Sequence, residues 1–298
     1  MKYIDCHTHA QFAAFEKDYK EVIGRALDNN VFLVNVGTQK DTSWRAVDIA
    51  HEFPSGVYAT VGVHPIHVHA SFHDEQELGV SRTDAEVNAD SRGSGFTSRA
   101  EEFDYEYYKK LAMDDRVVAV GECGLDYYRI EDLGLRIKEK QREVFVKHIE
   151  LAYEVKKPLM IHCRDAYEDL CETLISNSKF LISNPGIVHF FRGTKEDARK
   201  LLDMGFYFTF GGVITFVRDY DEIVKCIPMD RILSETDAPY VTPAPYRGKS
   251  FGGTQGKRNE PAYVIEVVKK LAELKGVSVE DVKDKIWENA RRVFDFLS

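Results

Sequence analysis

Tyr3-Ile4-Asp5-Cys6-His7-Thr8-His9 opens the chain: a short apolar run that ends in two histidines separated by one residue. The same order, an apolar run and then a group able to bind a cation, recurs downstream. Pro158-Leu159-Met160-Ile161 leads to His162, and Gly186-Ile187-Val188 leads to His189. Arg116-Val117-Val118-Ala119-Val120-Gly121 leads to Glu122, and Arg231-Ile232-Leu233 is followed within a few residues by Asp237. Side chains alternate along a strand, so His7 and His9 face one side, and at a strand end both rings can reach one ion. A His-x-His pair alone is a weak signal. Six such groups at the ends of strand-like runs point to one shared polar centre, and a hydrolytic metal site is the simplest chemical reason to gather them.

Outward from these runs the chain alternates short apolar stretches with amphipathic ones. Strands are expected at Tyr3-Cys6, Val31-Val36, Tyr58-Val63, Val117-Val120, Leu159-Ile161, Ile187-Phe190, Phe206-Phe210 and Ile232-Ser234. Apolar neighbours on both faces favour a buried parallel sheet. Between them, apolar residues three and four apart predict helices, most clearly over Arg136-Val155, where Gln141 and His148 fall on the apolar side. His148 is read there as a packing or surface histidine. Eight strands alternating with helices predict an α/β fold, a TIM-type (β/α)8 barrel with additional C-terminal helices over Ala262-Leu274 and Val279-Phe296. The main competitor is an open doubly wound sheet. It is disfavoured because no glycine-rich phosphate loop follows the first strand and because the polar centre draws on strands spread along the whole chain. The expectation is a single domain over 1-298 with an inserted mobile loop at about 71-99, where large apolar residues are few.

The chain has 298 residues, is 44% hydrophobic and 30% charged, and contains no apolar run long enough to span a membrane. Its start lacks the pattern of a signal peptide. Cytoplasmic residence is the default expectation, with nuclear entry compatible. Five cysteines without a CxxC motif indicate neither a disulfide scaffold nor a zinc ribbon. A net charge of -9 weakens an assignment to tight, sequence-independent DNA binding, although bound divalent ions add positive charge that the sum omits.

Glu122 is the natural bridge between two cations, because a carboxylate has two oxygens. His7, His9 and Asp237 can hold one ion, and His162 and His189 can complete the second. Two nearby cations suit phosphate-ester hydrolysis, with Asp237 orienting or deprotonating the water; the plainer alternative has Asp237 capping its loop through Thr236. Arg164, two residues after His162, has the donor fork for a phosphate oxygen, unless it pairs with Asp165 or Glu235. His64 is read as a phosphate or leaving-group contact rather than a primary ligand, and Arg129 as a further phosphate contact. No GxSxG elbow is present, and Gly248-Lys249-Ser250 lacks the rest of a phosphate loop.

Taken together, the chain resembles the TatD family of metal-dependent deoxyribonucleases, within the amidohydrolase-like barrels. The resemblance rests on Ile4-Asp5-Cys6-His7-Thr8-His9, Gly62-Val63-His64-Pro65 and Gly121-Glu122-Cys123-Gly124-Leu125-Asp126-Tyr127. It continues through Ile161-His162-Cys163-Arg164-Asp165-Ala166, Val188-His189-Phe190-Phe191-Arg192-Gly193, Ser234-Glu235-Thr236-Asp237-Ala238-Pro239-Tyr240 and Asn259-Glu260-Pro261. It implies metal-site roles for His7, His9, Glu122, His162, His189 and Asp237, catalytic roles for Glu122 and Asp237, and supporting roles for Asp126 and Glu235. It also implies two divalent ions, magnesium or manganese before zinc, and a DNA partner, as single strands or 3′ ends, cleaved in the 3′-5′ direction. No membrane and no obligate protein partner are expected. Two other readings compete: a hydrolase of a small amide, lactone or phosphoester, and a non-enzymatic metal-binding interaction protein. The connection over Ser71-Arg99 is longer than is usual in the family and bears on substrate access.

Overall fold

A computed structural model describes residues 1–69, 72–73, 96–97, 100–128, 130, 134–248 and 258–295. Eight parallel strands form its centre, in the order β1 (Tyr3–Thr8), β2 (Val31–Val36), β3 (Val57–Val61), β6 (Val117–Asp126), β7 (Leu159–Arg164), β8 (Gly186–Val188), β9 (Tyr207–Phe210) and β10 (Ile232–Ser234). A separate antiparallel pair, β4 (Phe72–His73) and β5 (Phe96–Thr97), lies between β3 and β6 in the chain. The rest of the expected mobile loop, most of 71-99, falls outside the described residues, as does Arg129.

Each barrel strand is buried along most of its length, in keeping with its unbroken Val, Ile, Leu and Phe content. The covering helices include α1 (Tyr19–Asp28), α2 (Lys40–Glu52), α3 (Tyr105–Ala112), α4 (Gly134–Val155), α5 (Tyr167–Ser176), α6 (Lys195–Asp203) and α7 (Asp221–Cys226). Two further helices, α8 (Val264–Lys275) and α9 (Val279–Val293), complete the C-terminal end. α9 starts where the Ser278 hydroxyl accepts from the Asp281 N–H, and α8 stops at Gly276, whose φ of 67° an L side chain rarely adopts. Among the described residues no helix is long and apolar enough to cross a membrane.

The two ends of the sheet meet through a polar seam. Ser234 Oγ donates to the Ile4 carbonyl at 2.7 Å, and the Thr236 N–H donates to Asp5 Oδ1 at 2.8 Å. The Asp237 N–H donates to the His7 carbonyl at 2.9 Å, and the His9 N–H to the Ala238 carbonyl at 2.8 Å. Asp5 is fully buried, and burial pushes its pKa well up. It spends its oxygens on the seam, accepting also from Thr236 Oγ1 and the His7 N–H.

Several strand bounds differ from the sequence reading: β1 runs on to Thr8 and β7 to Arg164, β3 spans Val57–Val61, and β9 starts at Tyr207. β6 and β8 differ for identifiable reasons. β6 runs past Val120 to Asp126, because Gly121 and Gly124 interrupt the apolar pattern without ending the ladder: Cys123 pairs with Ile161 and Gly124 with His162. A Cβ on Gly121 would lie 2.3 Å from the Met160 carbonyl oxygen, and its φ is 146°, so only glycine allows β6 to approach β7 there. β8 stops at Val188 rather than Phe190, whose φ of 46° turns the chain out of the strand.

Candidate metal centre

The barrel brings the six strand-end groups to the C-terminal face of the sheet. His7 and His9 lie at and just beyond the end of β1, His162 within β7, His189 directly after β8 and Asp237 shortly after β10. Glu122 is delivered by the second half of β6, and its backbone N–H is tied to the Gly37 carbonyl at 2.9 Å. Asp165, Phe190 and Asp237 have φ of 54°, 46° and 54°. Left-handed backbone at non-glycine residues is costly and concentrates where function constrains the chain.

Glu122 stands between two groups of nitrogens. Its Oε2 is 3.4 Å from His7 Nε2 and 3.9 Å from His9 Nε2. Its Oε1 is 2.9 Å from His189 Nε2, 3.0 Å from His162 Nδ1 and 3.3 Å from His64 Nε2. Asp237 Oδ1 faces the first group, 3.5 Å from His9 Nε2 and 3.8 Å from His7 Nε2.

The proton positions make these groups fit cations. His9 Nδ1 donates to the Val36 carbonyl at 2.8 Å, which leaves a lone pair on Nε2, 3.2 Å from His7 Nε2. His162 Nε2 donates to Asp126 Oδ2 at 2.9 Å, which leaves a lone pair on Nδ1, 3.1 Å from His189 Nε2 and beside Glu122 Oε1. Acceptors this close repel one another unless protons or cations lie among them. Metal–nitrogen and metal–oxygen bonds of about 2.1 Å give ligand separations near those seen. Among the described residues, His7, His9 and Asp237 form one cation-sized set, His64, Glu122 and His162 a second, and His7, His189 and Glu235 a third.

Electrostatics follow the same layout. Burial opposes the charge on Glu122, but His64, His189 and His7 outweigh it and hold its pKa well below the usual carboxylate range. Burial likewise opposes a charged His189, yet Glu122 and Glu235 hold its pKa well up. His9 and His162 are also raised, burial being overcome by Asp237 in one case and by Asp126 and Glu122 in the other. In the absence of a cation, these carboxylates favour the protonated rings more than water does.

His64 is not at an outer rim but in contact with Glu122. Its Nδ1 accepts from the Ile66 N–H at 3.2 Å, so the neutral ring carries its proton on Nε2, facing Glu122. Burial lowers its pKa to about 4. That tautomer suits a hydrogen-bond donor better than a ligand. Arg164 stacks on the Tyr128 ring at 3.4 Å, and its buried Nε has no hydrogen-bond partner among the described residues. It pairs with neither Asp165 nor Glu235 among the described residues. Glu235, fully buried, accepts from the Phe190 N–H at 2.8 Å and from Thr209 Oγ1, behind His189. His148 lies away from the centre as a core histidine, donating from Nδ1 to the Val144 carbonyl at 2.7 Å and accepting at Nε2 from the Val63 N–H at 3.0 Å.

Three supports went unread in the sequence. Gln141 Oε1 accepts from the Asp126 N–H and its Nε2 donates to the Asp126 carbonyl, both at 2.9 Å, so one buried amide fixes the residue that orients His162. Its signal was a glutamine on an otherwise apolar helix face. Asn259 Nδ2 donates to the Thr236 carbonyl at 2.8 Å and the Tyr240 carbonyl at 2.6 Å, fastening the loop that carries Asp237. Asp5 closes the barrel.

A family profile described as "TatD related DNase" matches residues 4–295, nearly the whole of this arrangement. The chain belongs to that family. It is 36% identical over 293 residues to the metal-dependent hydrolase YabD of Bacillus subtilis, covering 97% of this chain and 98% of YabD. It is 32% identical over 292 residues to the "3'-5' ssDNA/RNA exonuclease TatD" of Erwinia billingiae, covering 96% and 95%. The crystal structure of YjjV, a TatD homologue of Escherichia coli, superposes with a TM-score of 0.74 at 24% identity over 98% of both chains, which establishes the shared fold. As a TatD-family chain with His, Asp and Glu groups able to hold metal, the protein is a metal-dependent hydrolase.

Proposed function

We propose that this hydrolase is a deoxyribonuclease, cleaving the phosphodiester bonds of single-stranded DNA from the 3′ end with two divalent cations. Magnesium or manganese is the working metal and zinc a possible occupant. The carrying observation is Glu122, whose two oxygens face two separate sets of nitrogens. In this reading His7, His9 and Asp237 would hold one cation and His162 and His189 the other, with Glu122 facing both sets. When bound, such cations would supply positive charge for the phosphate oxygens and acidify water held beside them.

The chain's own residues do the rest. The Asp237 side chain is 18% exposed against 4% for Glu122, so it is the carboxylate that reaches the mouth. Burial opposes its charge, but the His9 hydrogen bond and the histidines around it keep its pKa below the usual range. It is anionic at neutral pH and accepts the proton of the attacking water. The water oxygen bonds to phosphorus as the bond to the leaving sugar oxygen breaks, and the proton taken up by Asp237 passes to that leaving oxygen, which departs as the hydroxyl. His64 Nε2–H donates to a phosphate or leaving-group oxygen, and Arg164 takes another phosphate oxygen with its fork. Asp126 and Glu235 keep His162 and His189 in place. Support for strand type and polarity comes from the Erwinia relative, named for 3'-5' action on single-stranded DNA and RNA.

Chelated protein, reloaded separately with magnesium, manganese or zinc, tests this on 3′- and 5′-labelled oligonucleotides and on small esters. Metal-dependent shortening from the 3′ end supports the proposal. Turnover of small esters with intact DNA contradicts it.

A further inference from the structure

Most cations on the β1-to-β3 side of the barrel are paired, Lys17 being an exposed exception among the described residues, whereas three arginines on the β7-to-β10 side are not. On the side of β1 to β3, Lys20 lies 2.9 Å from Glu52, Lys40 2.9 Å from Asp104 and Arg258 2.6 Å from Asp18. Arg45 there is paired with Asp48. Above β7 to β10, Lys195 and Arg218 are likewise committed to Glu222 and Asp221. Three arginines on that side, Arg164, Arg192 and Arg247, make no ion pair among the described residues. Arg164 ends β7, Arg192 follows His189 by three residues, and Arg247 lies in the loop after β10.

Two of the three are braced by aromatic rings. Arg164 stacks on Tyr128 at 3.4 Å and Arg247 on Phe216, in the loop after β9, at 3.8 Å. Stacking occupies the face of a guanidinium and leaves its in-plane N–H donors free. Arg192 and Arg247 are exposed, and the buried Nε of Arg164 has no hydrogen-bond partner among the described residues. The chain as a whole carries a net charge of -9, so this positive arc, unpaired among the described residues, is local. It spans consecutive barrel strands and starts two residues from His162.

We propose that Arg164, Arg192 and Arg247 form a phosphate track for a single-stranded oligonucleotide, leading from the metal centre across the β7-to-β10 side of the mouth. The track rests on the nuclease reading and adds to it that the substrate is a polyanion several nucleotides long, held on one side. The β1-to-β3 side, where most cations are paired, does not contact the backbone.

The test is binding of a fluorescent, cleavage-resistant phosphorothioate oligothymidylate to the manganese-loaded protein across a range of salt concentrations. Each phosphate contact on a single strand contributes about 0.7 to the slope of log affinity against log salt. Arg192→Gln and Arg247→Gln are each expected to lower that slope by about 0.7 and the double variant by about 1.4. Arg45→Gln, an equal charge change on the other side, is expected to leave it unchanged. An unchanged slope in the double variant overturns the track, as does an equal loss in Arg45→Gln or a wild-type protein that does not bind. Binding with the expected slopes, but no cleavage of the unmodified strand, leaves the track standing and removes the nuclease reading.

Discussion

The backbone N–H of Asp237 donates to the carbonyl oxygen of His7 across 2.9 Å, so candidate ligands from opposite ends of the chain are joined by one hydrogen bond. Closure of the barrel and assembly of the metal centre are therefore the same structural event. Asp5 and Thr236, one layer below, hold that seam without facing a cation themselves.

Asp5→Ala tests the seam. It leaves the N–H groups of His7 and Thr236 and the Thr236 hydroxyl without their buried acceptor, and is expected to cost about 3 kcal/mol of metal-free stability. Urea unfolding with a chelator present measures it. A loss below about 0.5 kcal/mol means the seam does not hold the barrel.

Metal loading should expel protons. His9, His162 and His189 are held above their ordinary pKa by Asp237, Asp126, Glu122 and Glu235 in the metal-free chain, so their proton occupancy exceeds that of free imidazole, and a ligating ring must lose that proton. Calorimetric titration with manganese near neutral pH, repeated in buffers of different ionisation enthalpy, is expected to show net proton release. Heats that do not depend on buffer contradict these protonation states.

Asp126→Ala removes the carboxylate that takes the Nε2 proton of His162 at 2.9 Å. Loss of such an outer partner weakens metal binding by about 10- to 100-fold. Manganese titration followed by electron paramagnetic resonance reads the affinity directly, and an unchanged value removes Asp126 from the support of the centre.

His148, a core histidine that faces none of the candidate ligands, supplies a separate pH signature. Burial lowers its folded pKa to about 4, against an ordinary value of 6.5. Between those values the unfolded chain binds the proton and the folded chain does not, so stability is full above about pH 6.5 and falls as pH drops toward about 4. The shift corresponds to about 3 kcal/mol. In unfolding curves across this window, His148→Gln is expected to lose less stability on acidification than the wild type. Parallel curves for the two proteins contradict the assignment.

The order of strands and helices was legible because each strand is a compact run of Val, Ile, Leu or Phe and the helices repeat at three and four residues. The convergence of His7, His9, Glu122, His162, His189 and Asp237 was legible for a related reason, since all follow such runs and a barrel brings equivalent strand ends to one face. The second half of β6 was hidden because Gly121 and Gly124 serve close backbone approach rather than burial. The Asp5–Thr236 seam and the Gln141–Asp126 clamp were hidden because hydrogen bonds between distant residues leave no periodic pattern. The tautomer of His64 depends on the Ile66 N–H and only a folded backbone reveals it.

The central claim is that Glu122 lies between two cations. Anomalous diffraction from crystals grown with manganese tests it most directly. The account predicts two peaks flanking the Glu122 carboxylate, one against His7, His9 and Asp237 and the other against His162 and His189. A single peak bound away from Glu122, or none at saturating manganese, contradicts it.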